Sequence, residues 1–134
     1  MNGDAPQMNT HEHRCWDEVT GEIIRCCYRV SNELGTGFLE KVYENALAIE
    51  LRACGFDVQQ QARMRVHYRG QVVGEYVADL LVNGEVLVEL KCCKAFDDVM
   101  MAQCMNYLRA TGRRVCLLVN FGKPRVEVKR ILLD

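Results

Sequence analysis

Val77-Ala78-Asp79-Leu80-Leu81-Val82-Asn83-Gly84-Glu85-Val86-Leu87-Val88-Glu89-Leu90-Lys91 consists of two apolar runs joined by Asn-Gly. That dipeptide between two apolar runs is a strong hairpin signal. It predicts a long strand from Gln71 to Val82 and a second from Glu85 to Lys91. The charges at Asp79, Glu89 and Lys91 interrupt strands otherwise built from Val and Leu. Burying an ionised carboxylate without a partner costs several kcal/mol. Two neighbouring carboxylates also raise each other's pKa unless a cation lies between them. A bound divalent cation would resolve both problems.

Such a site needs Asp79 and Glu89 on one face of the sheet. An ideal two-residue Asn83-Gly84 turn would pair Val82 with Glu85, set Asp79 opposite Val88 and send the two acids to opposite faces. An odd-length connection is therefore expected. A three-residue Val82-Asn83-Gly84 loop, with Gly84 left-handed in a G1 bulge, would pair Leu81 with Glu85 and Val77 with Glu89. Asp79 and Glu89 would then be diagonal neighbours on one face. A bulge elsewhere in either strand would serve equally well.

Outward from the hairpin, Ala62, Met64, Val66 and Tyr68 alternate with Arg63, Arg65 and His67 as in a half-buried strand, and Arg69-Gly70 reads as a turn. Three strands in a row predict an antiparallel meander. Upstream, Val19, Ile23, Cys27, Val30 and Leu34 form one helical stripe closed by Gly35. Leu39, Val42, Tyr43, Ala46, Ile49 and Ala53 form a second, closed by Gly55. The short Gly35-Thr36-Gly37 connection predicts antiparallel packing of these helices. Downstream, Asp97 is an N-cap for a helix ending at Gly112. Arg114 to Asn120 and Val126 to Leu133 read as strands, with a turn from Phe121 to Pro124. The predicted order is α-α-β-β-β-α-β-β, an α/β (α+β) fold with a mixed central sheet flanked by helices.

The length, 134 residues, suits one domain. Residues 1–13 lack periodicity and are expected to be a flexible N-terminal arm ahead of a single domain over 14–134. No apolar run approaches a membrane span and the opening has no signal-peptide core, so a cytoplasmic location without membrane contact is expected. The eight cysteines lie in periodic segments, with Cys26-Cys27 and Cys92-Cys93 adjacent and no C-x-x-C. They read as reduced and mostly buried thiols, and a zinc or iron–sulfur site on Cys92, Cys93 and Cys104 is disfavoured. A net charge of −1 counts against general nucleic-acid binding. Cations can still be concentrated locally, with Arg63, Arg65, Arg113 and Arg114 as candidates.

Magnesium suits Asp79 and Glu89 because it prefers hard oxygen ligands, takes one or two carboxylates, and leaves other positions to water and phosphate. The backbone carbonyl of Leu90 offers a third oxygen. Lys91 shares strand parity with Glu89, so its ammonium should face the same site, where it can orient water or stabilise charge on phosphate. The bland alternative is a cross-strand salt bridge on an exposed face.

In this order the motifs resemble the PD-(D/E)XK nucleases, and within them the G-x-x-E-x-x-Y proteins, over about residues 20–133. Gly37-Phe38-Leu39-Glu40-Lys41-Val42-Tyr43 fits the name motif, Asp79 the first acid, and Glu89-Leu90-Lys91 the E-x-K. Gln103-Cys104-Met105-Asn106-Tyr107 is similar to the Q-x-x-x-Y of the RecB-like and λ-exonuclease-like branch. Ala78 stands where the motif name has proline. The resemblance implies the α-β-β-β-α-β core and a nuclease using Mg2+, with Mn2+ able to substitute, on DNA more readily than RNA. It also implies a direct or water-mediated metal contact for Glu40. Gln103 and Tyr107 would contact the scissile phosphate or hold Lys91. Without the resemblance, Glu40 reads as a first-turn acid favoured by the helix dipole, and Tyr43 as core. The competing function is a catalytically silent nuclease-fold module acting with a partner protein. Homo-oligomerisation is left open.

Overall fold

The computed structural model describes residues 5–133, with side chains described from residue 17 onward. The elements run α1 (Ala5–Leu34), α2 (Glu40–Ala53), β1 (Val58–Tyr68), β2 (Gln71–Val82), β3 (Val86–Lys91), α3 (Asp98–Thr111), β4 (Val115–Asn120) and β5 (Glu127–Leu132). This is the predicted order. α1 begins before its apolar stripe and takes in residues expected to be an arm. The sequence there has no apolar repeat that would signal a helix. Residues 1–4 of that expected arm lie outside the described residues.

The sheet order is β1-β2-β3-β4-β5. β1, β2 and β3 form the antiparallel meander, α3 carries the chain across so that β4 joins β3 in parallel, and β5 returns antiparallel to β4. α1 and α2 pack with Val82, Val86, Val88, Leu117 and Val119 on one face of the sheet. α3 covers the other through Cys104 and Leu108, against Leu87, Cys116 and Leu118. β4 is therefore buried along its whole length, as expected of a central strand covered on both sides.

Local signals explain the helix ends. Asp97 caps α3 by accepting from Met100 N at 2.8 Å, and Gly112 closes it in the left-handed region at φ 72°. α2 departs from its sequence reading. It buries Tyr43, Glu44, Leu47, Ala48 and Leu51 and leaves Leu39, Val42 and Ile49 exposed. Both stripes have helical spacing, so periodicity alone leaves the rotation of α2 open. The chosen face turns Glu44 toward the sheet. Contacts of Arg29 with Glu50 and of Cys26 with Cys54 set α1 and α2 antiparallel, as the short connection predicts.

Candidate active site

β2 and β3 hold their acids at the point where their ladder ends. The register runs Val82 to Val86, Leu81 to Leu87 and Leu80 to Val88. The connection is odd in length, but its residues are Asn83-Gly84-Glu85, which corrects the Val82-Asn83-Gly84 loop and the Leu81–Glu85 pairing. Asn83 and Gly84 both take positive φ, 54° and 68°, and Glu85 N closes the turn onto Val82 O at 3.0 Å. Asp57 N donates to Asn83 Oδ1 at 2.9 Å, which ties the turn to the chain entering β1. Carried one step past Leu80–Val88, this register sets Asp79 directly opposite Glu89, where a diagonal relation was expected.

At that step side chains replace the backbone ladder. Asp79 N donates to Glu89 Oε2 at 3.1 Å, and Leu90 N donates to Asp79 Oδ2 at 2.8 Å. Tyr76 OH donates to Glu89 Oε2 at 2.6 Å. The Tyr76 ring stacks on Tyr107 of α3, with centroids 3.5 Å apart. Burial, followed by the charge of Asp79, pushes Glu89 up to about 7, and burial is also the main cause raising Asp79. Lys91 lowers both in turn. The site thus holds two partly buried acids and one ammonium whose charge acts on both.

The third acid is Glu44, which the sequence reading did not select. It is 4% exposed. Its Oε2 accepts from Gln60 Nε2 and its Oε1 from Gln61 Nε2, both at 2.8 Å, and Lys41 Nζ lies 3.2 Å from each oxygen. The Gln61 amide also reaches Asp79 Oδ1 at 3.4 Å, so one side chain links the two carboxylates. Gln61 does this from a left-handed backbone, φ 51°, strain of a kind that persists where surrounding contacts over-determine it. The sheet exchanges faces at this level. Val58 and Leu80 belong to the α1/α2 side, whereas Ala62, Met64 and Ala78, at the same parity, belong to the α3 side. A signal for Glu44 did exist, since it follows Tyr43 on a helix whose apolar stripe includes Leu47, Ala48 and Leu51.

Glu40 lies one turn before Glu44, is exposed, and has the Cys92 thiol as its electrostatic neighbour. Gln103 is exposed on α3. Tyr107 is half-buried and acts on the site through its stack on Tyr76. Tyr43 is a core residue, as its position on the stripe suggests. Its hydroxyl donates to Gly35 O and its ring stacks on Phe121 with centroids 4.7 Å apart.

Beyond Lys91 the chain is held by Asn120. This side chain is fully buried; its Oδ1 accepts from Cys93 N at 3.1 Å and Gly122 N at 2.8 Å, and its Nδ2 donates to Cys93 O at 2.9 Å. Gly122 permits this approach, because a Cβ there would stand 2.6 Å from Cys93 N.

Arg63 and Arg65 are exposed on β1 beyond Gln61, with Arg63 3.8 Å from Glu75. Arg113 and Arg114 precede Val115, which pairs with Val86, while Lys91 pairs with Asn120 at the other end of the same strands. Arg113 Nε donates to Gly84 O at 3.2 Å. This pair therefore lies away from the acids, beside the β2–β3 turn.

A family model described as PD-(D/E)XK nuclease superfamily matches residues 17–131. Among solved structures, the alkaline exonuclease LHK-Exo from Laribacter hongkongensis matches at 19% identity and TM-score 0.52, over 70% of this chain and 56% of that one. A structure titled SSO0001 matches at 16% identity and TM-score 0.53, over 70% of this chain and 50% of the other. At these identities the likeness concerns the fold, and the chain spans about half the length of these neighbours. No curated protein sequence matches the chain significantly. Among the described residues, no helix is long and apolar enough to cross a membrane.

Proposed function

Because the chain belongs to the PD-(D/E)XK nuclease superfamily, we propose that it hydrolyses phosphodiester bonds in DNA with magnesium held by Asp79 and Glu89. The observation that carries this reading is the facing pair itself. Two carboxylates on adjacent strands are raised by burial, and Glu89 is raised further by the charge of Asp79. The donor set also fits the metal. Glu89 Oε2 is committed to Tyr76 and Asp79 N, and Asp79 Oδ2 to Leu90 N. That leaves Glu89 Oε1, and Asp79 Oδ1 with only the long 3.4 Å contact from Gln61, as hard oxygen donors, with the Leu90 carbonyl as a third. Manganese would substitute.

When bound, magnesium supplies a Lewis acid for a phosphoryl oxygen and lowers the pKa of water at the site. Lys91 orients the attacking water or neutralises charge developing on the phosphate. Tyr76 and Tyr107 keep Glu89 in one orientation. Gln103, four residues before Tyr107 on α3, contacts the scissile phosphate, and Glu44 or Glu40 completes the metal contacts from α2. Arg63 and Arg65 hold the flanking phosphates, whereas the position of Arg113 and Arg114 gives them a lesser part. The motif Gly37 to Tyr43 supports placement among the G-x-x-E-x-x-Y proteins. A cytoplasmic site of action and a single domain over 14–134 accompany this reading.

The test is cleavage of single-stranded, double-stranded and branched DNA, and of RNA, with and without magnesium. Wild type is compared with Asp79→Ala, Glu89→Ala and Lys91→Ala. Each variant should lose at least about 100-fold in kcat while keeping its circular dichroism spectrum. Equal activity in all four proteins would overturn the assignment. Magnesium binding without cleavage of any substrate would favour a silent module acting with a partner protein.

A further inference from the structure

Cys54 lies at the opposite end of α2 from Glu40, ten residues beyond Glu44, roughly 15 Å along the helix axis. Its Sγ is 3.7 Å from Cys26 Sγ on α1. Cys54 is exposed and Cys26 buried. Arg29 lies between them, with Nη1 3.3 Å from Cys26 Sγ and 3.7 Å from Cys54 Sγ. Glu22 at 3.2 Å and Glu50 at 3.3 Å hold that guanidinium in place. None of these groups touches the carboxylate site.

We propose that Cys26 and Cys54 are a modification site, a thiol pair that a hydroperoxide converts reversibly to a disulfide joining α1 to the end of α2. The exposed Cys54, as thiolate, attacks the peroxide. Its S–O bond forms as the O–O bond breaks, and the departing alkoxide takes a proton to leave as alcohol. Cys26 then attacks the Cys54 sulfenic sulfur. The S–S bond forms, the S–O bond breaks, and hydroxide leaves with the Cys26 proton as water. Two electrons pass from the two thiols to the peroxide.

The roles follow from placement. Burial pushes the Cys26 thiol up to about 11, which keeps it protonated and out of reach while the exposed Cys54 meets the peroxide first. The Arg29 guanidinium lies within reach of both sulfurs and counters negative charge on Cys26. Cys54 caps α2 beside Gly55, whose φ is 92°, so a small rotation at the helix end can close the remaining gap to bonding distance.

Glu22, Cys26 and Cys54 also lie at metal-ligand spacing. Arg29 already supplies the cation for that group, and a metal ion would have to displace it. A disulfide leaves both Arg29 ion pairs in place.

The experiment treats the reduced full chain with one equivalent of hydrogen peroxide, alkylates the remaining thiols and maps peptides by mass spectrometry. A Cys26–Cys54 crosslinked peptide should form before any other pairing. The thermal midpoint should rise by roughly 5–10 °C, because the bridge restrains the unfolded chain, and dithiothreitol should reverse both changes. Cys54→Ser, at an exposed position, should abolish the link and the shift while folding normally. Accumulation of Cys54 sulfinic acid with Cys26 still alkylatable would overturn the proposal. So would prior pairing among Cys92, Cys93 and Cys104, or one equivalent of zinc bound by the reduced chain and lost in Cys54→Ser.

Discussion

Asp79 and Glu89 brace each other's strands: the Asp79 backbone N–H donates to the Glu89 carboxylate, and the N–H of Leu90, the residue after Glu89, donates to the Asp79 carboxylate. This arrangement keeps two acids adjacent and partly buried, and its effect should be visible as a pH dependence. Glu89 is raised from 4.5 to about 7, so the folded state holds its proton more tightly than the unfolded state. The associated stability is fully present below about pH 4.5 and is lost as pH rises through about 7. In the absence of divalent ions the loss should be on the order of 3 kcal/mol. Glu89→Gln should flatten that pH profile in denaturant melts. Magnesium at pH 8 should raise the midpoint of wild type and leave that of Glu89→Gln almost unchanged. A profile equally steep in the variant would place the titration elsewhere.

The position of Glu44 against Asp79, through the shared Gln61 amide, ranks it ahead of Glu40. Glu44→Gln should weaken magnesium binding by about tenfold or more, and Glu40→Gln by less than about threefold. Calorimetric titration of both variants decides the order. A larger loss in Glu40→Gln would make the exposed acid the ligand.

Asn120 does not enter the carboxylate site, yet it holds the segment after Lys91 by two hydrogen bonds to Cys93 and the turn after β4 by a third from Gly122 N. Asn120→Ala should cost about 2–4 kcal/mol in chemical denaturation, because buried backbone groups lose their partners. It should also lower kcat more than it raises KM, since misplacing Lys91 affects the transition state. A stability loss with unchanged kcat would limit Asn120 to a structural role.

Arg63 and Arg65 lie beyond Gln61 on an exposed stretch of β1, whereas Arg113 is tied to the distant turn through Gly84 O. Replacing Arg63 and Arg65 with glutamine should reduce the slope of log affinity against log salt by about one to two units. The same change at Arg113 and Arg114 should have a smaller effect. Binding measured at several salt concentrations tests the ranking, and the reverse order would move the nucleic-acid path to the β2–β3 turn.

Sequence alone determined the element order, the caps at Asp97 and Gly112, and the identity of the pair that had to share a face. These follow from local chemistry: side-chain period, turn residues, and charges out of place in apolar strands. The odd-length hairpin was legible for the same reason, although its residues were displaced by one, because Asn83 and Gly84 can fill more than one left-handed position. Tertiary structure decided the rest. α2 carries two apolar stripes, and only packing against α1 and the sheet selects the one that brings Glu44 inward. The exchange of faces at Gln61 and Asp79 depends on a glutamine held at positive φ. No propensity favours that conformation in a strand, and surrounding contacts sustain it. The proximity of Cys26 and Cys54 likewise comes from antiparallel helix packing, which sets together residues far apart in sequence.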